Sequence, residues 1–350
     1  MWQLDFRMIS RIESESVMYI GGHFSSSDNE LFMSNGENSF DRNFPLSLAE
    51  TRRFEFQTGT DSLASIVGSV SQKKSRIFFP RYFCEDSIAR LIHKLPAAVQ
   101  IYRYENNLDV SKTIQHNDIL ITCYLNCYDP IVSDSVKKLH EQLQFIWIED
   151  FVQSPLEIVR LQGDFAFNSL RKFLGIDVSV CYTGRQLSSD GDGNSAYYEK
   201  VQSARLMKAN FQLSASESME DQYLKLFETA EENLFSQAIH SAHVEHLNQI
   251  HRVNFEAAAS TRRANHDTLK SLFSNISQVS CLPGEYMYLM CKVENRDALR
   301  SHCFRHGIFP AIHWPGSISA KENLSFHIDQ RYCKADMNRT YNIVKEFYGC

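Results

Sequence analysis

The sequence predicts an α/β protein, with a large domain built on a mainly parallel sheet and a smaller α+β layer after it. Three observations carry that expectation. Short β-branched and aromatic runs alternate with helical periodicities from about residue 53 to residue 148. A lysine follows an arginine inside the apolar, small-residue stretch Gly163–Gly175, downstream of a run that ends on a carboxylate. A second set of helices and strands begins near Arg262.

The elements follow in order. Residues 1–45 are polar and rich in Ser, Asn and Gly, and read as an arm with little regular structure. Pro45 to Glu50 begins a helical pattern, and Arg53–Phe56 is a short strand running into Gln57-Thr58-Gly59-Thr60-Asp61. Ser62–Val67 has apolar residues at helical spacing. Ser75–Pro80, Val99–Tyr104, Ile119–Tyr124 and Phe145–Ile148 read as strands, with helices over Glu85–Leu95 and Val132–Gln142 between them. This alternation argues for parallel strands joined by helical crossovers. Ligands of such sheets collect beyond the carboxyl ends of the strands, a rim that takes in Asp150, Pro80-Arg81-Tyr82 and the Gly59-Thr60 turn. Ser188–Ser195 is a turn-rich, mobile surface loop, without the glutamate a calcium loop needs at its twelfth position. Residues 217–260 read as a long helical connector, with Tyr223, Leu226, Phe227, Ala230 and Leu234 on one face. A helix through Leu269–Phe273, strands near Tyr286–Met290 and Leu324–His327, and helices around Asp297–Cys303 and Ala335–Phe347 complete the second layer. The expected organisation is an arm over 1–45, a large domain over 46–215, a connecting helical region over 216–261 and a small domain over 262–350.

Composition narrows the function classes. The 350 residues are enough for two domains, and 43% hydrophobic with 22% charged residues is ordinary for a globular chain. A net charge of -6 argues against a broad nucleic-acid surface. The nine cysteines are scattered, with no CxxC pair and no paired Cys/His spacing, which fits a reducing compartment and argues against a zinc or other metal site. His240, His243 and His246 lack a metal-binding pattern and read as solvated. Met1–Arg7 has an early acid and no long apolar run, and no stretch reaches the length of a membrane span. A cytoplasmic protein without nucleic-acid or membrane partners is expected.

The chemistry rests on Lys172. Phe165, Phe167, Leu170, Phe173 and Leu174 surround it in sequence, and Arg171 adds like charge if its guanidinium points the same way. Desolvation and like charge both lower an amine pKa and make it nucleophilic. The competing reading is a surface lysine after a turn. Asp150 either caps the turn after its strand or pairs with the ring nitrogen of pyridoxal phosphate (PLP), keeping that ring an electron sink while Lys172 forms the aldimine. Gln153 stands within reach of the ring face or its phenolic oxygen in that second reading. Gly59, Thr60 and Asp61 open a helix, where backbone N–H groups and the Thr60 hydroxyl make a phosphate cradle, or where Thr60 or Asp61 is an ordinary cap. Ser169 either adds a phosphate contact or caps a helix. Arg331 either binds an anionic substrate group or pairs with Asp329, and His313 and Trp314 either border a substrate cleft or pack a turn.

Several marks then line up in order. Ile20-Gly21-Gly22-His23-Phe24, Thr58-Gly59-Thr60-Asp61-Ser62-Leu63, Pro80-Arg81-Tyr82, Glu149-Asp150-Phe151-Val152-Gln153 and Ser169-Leu170-Arg171-Lys172 resemble motifs of the DegT/DnrJ/EryC1/StrS sugar aminotransferases, PLP enzymes of fold type I. Arg262-Arg263-Ala264-Asn265 resembles the start of that family's small domain. The resemblance implies a mainly parallel seven-stranded sheet, an internal aldimine at Lys172 and a ring nitrogen held by Asp150. It further implies that Gly59 and Thr60 bind the phosphate and that Gln153 contacts the cofactor. It implies a homodimer that uses an amino donor, commonly glutamate, and a keto sugar or related carbonyl acceptor in polysaccharide or secondary-metabolite synthesis. A PLP-dependent dehydratase and a non-catalytic regulator on the same fold are the alternatives, and the family's dehydratases typically carry histidine where Lys172 stands. The sequence departs from the pattern at Phe167, where a serine is usual, at Cys84, where an aromatic often stacks on the ring and Tyr82 or Phe83 is the substitute, and at Gly175–Val178, which replaces a glycine-rich stretch.

Overall fold

The computed structural model describes residues 19–28, 32–33, 39–72, 74–95, 99–105, 110–125, 129–214, 217–284, 287–313 and 321–349. The chain divides into two compact units. One comprises Phe32–Gln202 and Leu226–Phe255, and the other Met1–Leu31, Ser203–Lys225 and Glu256–Cys350.

The first unit is built on a sheet of eight strands among the described residues. They are β1 (Ser47–Leu48), β2 (Thr51–Phe56), β3 (Arg76–Pro80), β4 (Gln100–Tyr104), β5 (Ile119–Cys123), β6 (Ile146–Asp150), β7 (Phe165–Phe167) and β8 (Ser179–Thr183), in spatial order β1-β2-β8-β7-β6-β5-β3-β4. Strands β4, β3, β5, β6 and β7 run parallel, while β8, β2 and β1 pair antiparallel. The two-residue β1 is the strand beyond the expected seven. It lies where Pro45–Glu50 suggested a helix; the helix comes earlier, at Ser39–Asn43, and Ala49 adopts a left-handed turn at φ 49° that pairs Leu48 with Thr51.

Every residue of β5, β7 and β8 is buried, and the parallel strands β5 and β7 are largely apolar on both faces, as strands covered on both sides require. Helices Gly59–Val70, Glu85–Lys94 and Pro130–Leu143 are the crossovers. Asp129 caps the last of these with one carboxylate oxygen accepting from the N–H groups of Ile131 and Val132, and Pro130 occupies the first turn, where its missing N–H costs nothing.

The region read as one long connector is divided. Helix Glu217–Asn233 ends, isolated bridges tie Phe56 to Ser241 and Gly191 to His240, and helices Val244–Ile250 and Phe255–Phe273 follow. The Ser188–Ser195 loop is accordingly tied down, with Asp190 N–H donating to the Ile239 carbonyl at 2.7 Å.

The second unit carries the antiparallel sheet β9 (Val279–Cys281), β10 (Tyr288–Val293) and β11 (Asn323–His327), in order β11-β10-β9. Helices Arg296–Arg305 and Lys334–Tyr348 contribute Leu299, Cys303, Met337, Ile343 and Val344 to its core, beside Leu289 and Phe326 from the strands. Arg262 is buried and donates from Nε to Gln330 Oε1 at 2.7 Å. Asn265, one turn on, donates to the carbonyls of Ile328, Asp329 and Tyr332. Together they hold the turn after β11.

No helix among the described residues is long and apolar enough to cross a membrane.

Candidate active site

The carboxyl ends of β5, β6 and β7 lie on one rung, with Cys123 opposite Asp150 and Asp150 opposite Phe167. Beyond that rung the chain turns at Asn168-Ser169 into the short helix Arg171–Leu174, which carries Lys172. Gly175 ends the helix at φ 70°, a left-handed position suited to glycine, with its N–H returned to the Arg171 carbonyl at 2.8 Å.

Asp150 is 4% exposed. One carboxylate oxygen accepts from the Val152 N–H at 2.7 Å, so the turn-capping reading holds. Burial pushes its pKa up to about 7, and the Val152 N–H and the Lys172 ammonium pull in the opposite direction. Lys172 also acts on the buried Cys123 thiol, whose pKa is driven well up by burial and by Asp150. The amine and the acid thus feel one another across the same strand ends.

Arg171 does not add its charge to that of Lys172. Its guanidinium pairs with Glu231, lies 3.7 Å from the fully buried Asp177 and donates to the Tyr197 hydroxyl at 3.3 Å. Tyr197 in turn donates to Asp177 at 2.8 Å, and His246 lies 3.8 Å from the same carboxylate. His246 is fully buried rather than solvated, with Gln202 3.0 Å away. This network anchors the helix that carries Lys172. Its acids come from Asp177, six residues on, and from Glu231, too far along the chain for local spacing to reveal it.

Gly59 begins the helix Gly59–Val70, and Thr58 caps it, its hydroxyl oxygen accepting from the Asp61 N–H at 3.1 Å. A Cβ on Gly59 would stand 3.4 Å from both the Asn168 carbonyl and Val152, and 3.6 Å from Phe167. The helix N-terminus therefore sits directly against the turns that follow β6 and β7. Gly59 and Thr60 stay partly open to solvent. Asp61 is buried, ion-paired with Lys94 at 3.0 Å, and accepts from the Thr58 hydroxyl. Its carboxylate thus serves the fold, and its backbone N–H is already donated to the Thr58 hydroxyl oxygen.

Gln153 is 1% exposed, and its Oε1 has no hydrogen-bond partner. A buried amide oxygen without a donor is costly and points to a missing group. Tyr82 is half-buried and its pKa is raised, first by burial and then by Cys123 and Asp129. Phe83 packs in the core against Phe79, with centroids 4.8 Å apart. Ser169 is buried beside Asn168, whose side chain bonds the Pro155 carbonyl and the Val180 N–H.

Glu149 was legible only as the neighbour of Asp150. It is fully buried and accepts from the Tyr124 hydroxyl at 2.5 Å and from the N–H groups of Gln162 and Gly163 at 2.5 and 2.6 Å. It fixes the turn that delivers β7. Gly163 lies so close to Trp147 that a Cβ would approach the Trp147 carbonyl to 2.9 Å.

The remaining candidates belong to the second unit. Arg331 pairs with Asp329 through two bonds, at 2.7 and 2.9 Å, lies 3.7 Å from Asp28 and stacks 4.0 Å over the Phe24 ring. Burial pushes the Asp329 carboxyl up, but Arg331 holds it well below the usual carboxylate range. His313 lies 2.8 Å from the Ser325 hydroxyl with its ring 4.6 Å from Tyr288. Trp314 lies outside the described residues.

No family model and no curated protein matches the sequence. Solved structures do. A DegT DnrJ EryC1 StrS aminotransferase from Brucella abortus is 13% identical, with 95% of this chain and 92% of that one covered at a TM-score of 0.57. The aminotransferase TlmJ from Streptoalloteichus hindustanus is 11% identical, with 95% and 99% covered at 0.61. E. coli GDP-4-keto-6-deoxy-D-mannose-3-dehydratase, solved with bound hydrated PLP, is 11% identical, with 94% and 100% covered at 0.57. At these identities the likeness is one of fold. The chain adopts the fold of the DegT/DnrJ/EryC1/StrS sugar aminotransferases, which are fold type I PLP enzymes.

Proposed function

We propose that this chain is a PLP-dependent enzyme and, within that class, an aminotransferase that takes an amino donor such as glutamate and a keto sugar or related carbonyl acceptor. The observation that carries the reading is the buried Asp150 within the field of the Lys172 ammonium, beside a helix N-terminus that closes on the same strand ends. The residues fit the cofactor in three respects. Gly59 leaves open a cradle that a Cβ would narrow. Gln153 offers a buried amide oxygen that lacks a donor. Asp150 is an acid made costly to ionise by burial, a cost that a ring N–H+ would offset.

When bound, PLP supplies a conjugated ring that takes up the electron pair left by a departing proton. Asp150 holds a proton at the ring nitrogen through a charge-assisted hydrogen bond. Gly59 and Thr60 offer backbone N–H groups and a hydroxyl to the phosphate, where the helix dipole favours negative charge, and Ser169 adds a hydroxyl. Gln153 would present its amide to the phenolic oxygen, and Tyr82 is the aromatic assigned to the ring face in this reading. Lys172 moves a proton at the substrate carbon as general base and then general acid.

Dehydration is the alternative reaction for the same residues. Lysine at position 172, where the resemblance places histidine in the family's sugar dehydratases, favours transamination. The test is an absorbance titration of the PLP-loaded protein with glutamate. Transamination requires that the visible band be replaced by the pyridoxamine band; a spectrum indifferent to every amino donor would reject it in favour of elimination or a non-catalytic role.

A further inference from the structure

Away from the proposed active site, two imidazoles and a carboxylate converge in the second unit. His302 and His306 are four residues apart, on helix Arg296–Arg305 and its cap, so they share one face. Their ring centroids are 4.5 Å apart. Glu346 comes to the same place from the last turns of helix Lys334–Tyr348. One ligand atom from each of the three lies within 4.8 Å of the other two.

The hydrogen bonding leaves one nitrogen of each ring available. His306 Nδ1 lies 2.9 Å from the His302 carbonyl and donates to it, which leaves Nε2 as the lone-pair nitrogen. His302 has a backbone hydrogen bond at Ile343, while its Nε2 is buried without a partner. An imidazole whose Nδ1 is held by a carbonyl while Nε2 stays vacant is the arrangement that orients metal-ligating histidines. Glu346 gives a further sign. It stands in the C-terminal part of its helix, where the dipole disfavours a negative charge, and among the described residues no cationic side chain pairs with it. A cation at this point would offset both the helix dipole and the vacant Nε2.

We propose that His302, His306 and Glu346 form a binding site for a divalent transition-metal ion, represented by Zn2+, which clips helix Arg296–Arg305 to the C-terminal helix. Two imidazoles and one carboxylate suit a borderline-soft ion such as Zn2+ rather than Mg2+ or Ca2+, which prefer oxygen alone. The fourth position is left to water. The ion would fasten the end of the chain to the core of its unit without entering the proposed reaction, so the site stands whether or not the PLP reading does.

The test is calorimetric titration of the full chain with Zn2+, with thermal melting alongside. The expected result is one equivalent bound per chain in the micromolar range or tighter, accompanied by a rise in melting temperature. H302A/H306A should bind at least about tenfold more weakly and lose the rise. Because the histidine pair is half-buried, E346Q serves as a second variant. Its side chain is exposed, so weakened binding there with an unchanged melting temperature of the metal-free chain isolates the ligand role. A Co2+ spectrum with d–d bands and no thiolate charge transfer should accompany binding to the wild-type protein. Failure of the wild-type chain to bind Zn2+, or equal binding by H302A/H306A, as when free thiols take the ion, would overturn the proposal.

Discussion

Lys172 is the cation that acts on the buried carboxylate of Asp150, although the two residues approach from different elements, one from the end of β6 and the other from the short helix after β7. That electrostatic coupling is what the proposed reading, with a pyridine ring between the amine and the acid, requires. It also has consequences that are measurable without any cofactor.

The first concerns stability against pH. The folded-state pKa of Asp150, about 7, lies above the roughly 3.9 of an unfolded aspartate. Between those values the folded state holds more protons than the unfolded state, so its stability falls as pH rises from about 4 to 7 and then levels off. The cost above pH 7 is on the order of 4 kcal/mol. Asp150→Asn keeps an acceptor for the Val152 N–H and removes that cost. Urea denaturation of the cofactor-free protein at pH 5 and pH 8 should show the variant gaining on the wild type at pH 8. A variant weaker than wild type at pH 8 would contradict the assignment.

The second concerns the anchor of the lysine helix. Arg171→Ala leaves the fully buried Asp177 without its nearby guanidinium and frees Glu231. Because Arg171 is about a third exposed, the loss is smaller than for a fully buried pair, about 2 kcal/mol by chemical denaturation. PLP loading at Lys172 should slow in the same variant, with the spectrum of the loaded form unchanged. Unaltered stability would mean that Tyr197 and His246 alone hold Asp177.

The third sets two glycines against one another. Gly163→Ala drives a Cβ to 2.9 Å from the Trp147 carbonyl, backbone that cannot move aside, so a loss of roughly 1–3 kcal/mol and a lower melting temperature are expected. Gly59→Ala meets its neighbours at 3.4 Å, and alanine is the better helix former. The expected outcome there is an unchanged or raised melting temperature with weakened PLP binding by equilibrium titration. The reverse pattern would remove Gly59 from the phosphate cradle.

The fourth belongs to the second unit. Asn265→Ala abandons the carbonyls of Ile328, Asp329 and Tyr332, all met by one amide. Leaving buried acceptors unsatisfied costs about 2–3 kcal/mol, to be read by denaturation. A neutral substitution would show that water replaces the amide there.

The strands that were legible in the sequence are those where one side-chain pattern decides the structure. Arg76–Pro80, Ile119–Cys123 and Ile146–Asp150 are dense in large apolar residues, and their fully buried positions demand it. Phe165–Phe167 and Ser179–Thr183 were not resolved as strands. One is three residues long, and the other mixes serine, cysteine and threonine, whose place is set by partners such as Ser62, 2.7 Å from Ser179. Pro45–Glu50 misled because proline followed by leucine and alanine mimics a helix start, while tertiary pairing with β2 decides otherwise. At the site, Lys172, Asp150 and Gly59 were visible because their residue types are unusual for their surroundings. The fate of Arg171, the burial of His246 and the convergence of His302 with Glu346 depend on contacts between residues distant in the chain, and local spacing carries no trace of those.

Borohydride reduction of the PLP-loaded protein, followed by peptide mapping, tests the central claim most directly. A pyridoxyl group attached to Lys172, and absent from Lys172→Ala, is the result expected. A label on another lysine, or none in a folded and PLP-saturated chain, would contradict it.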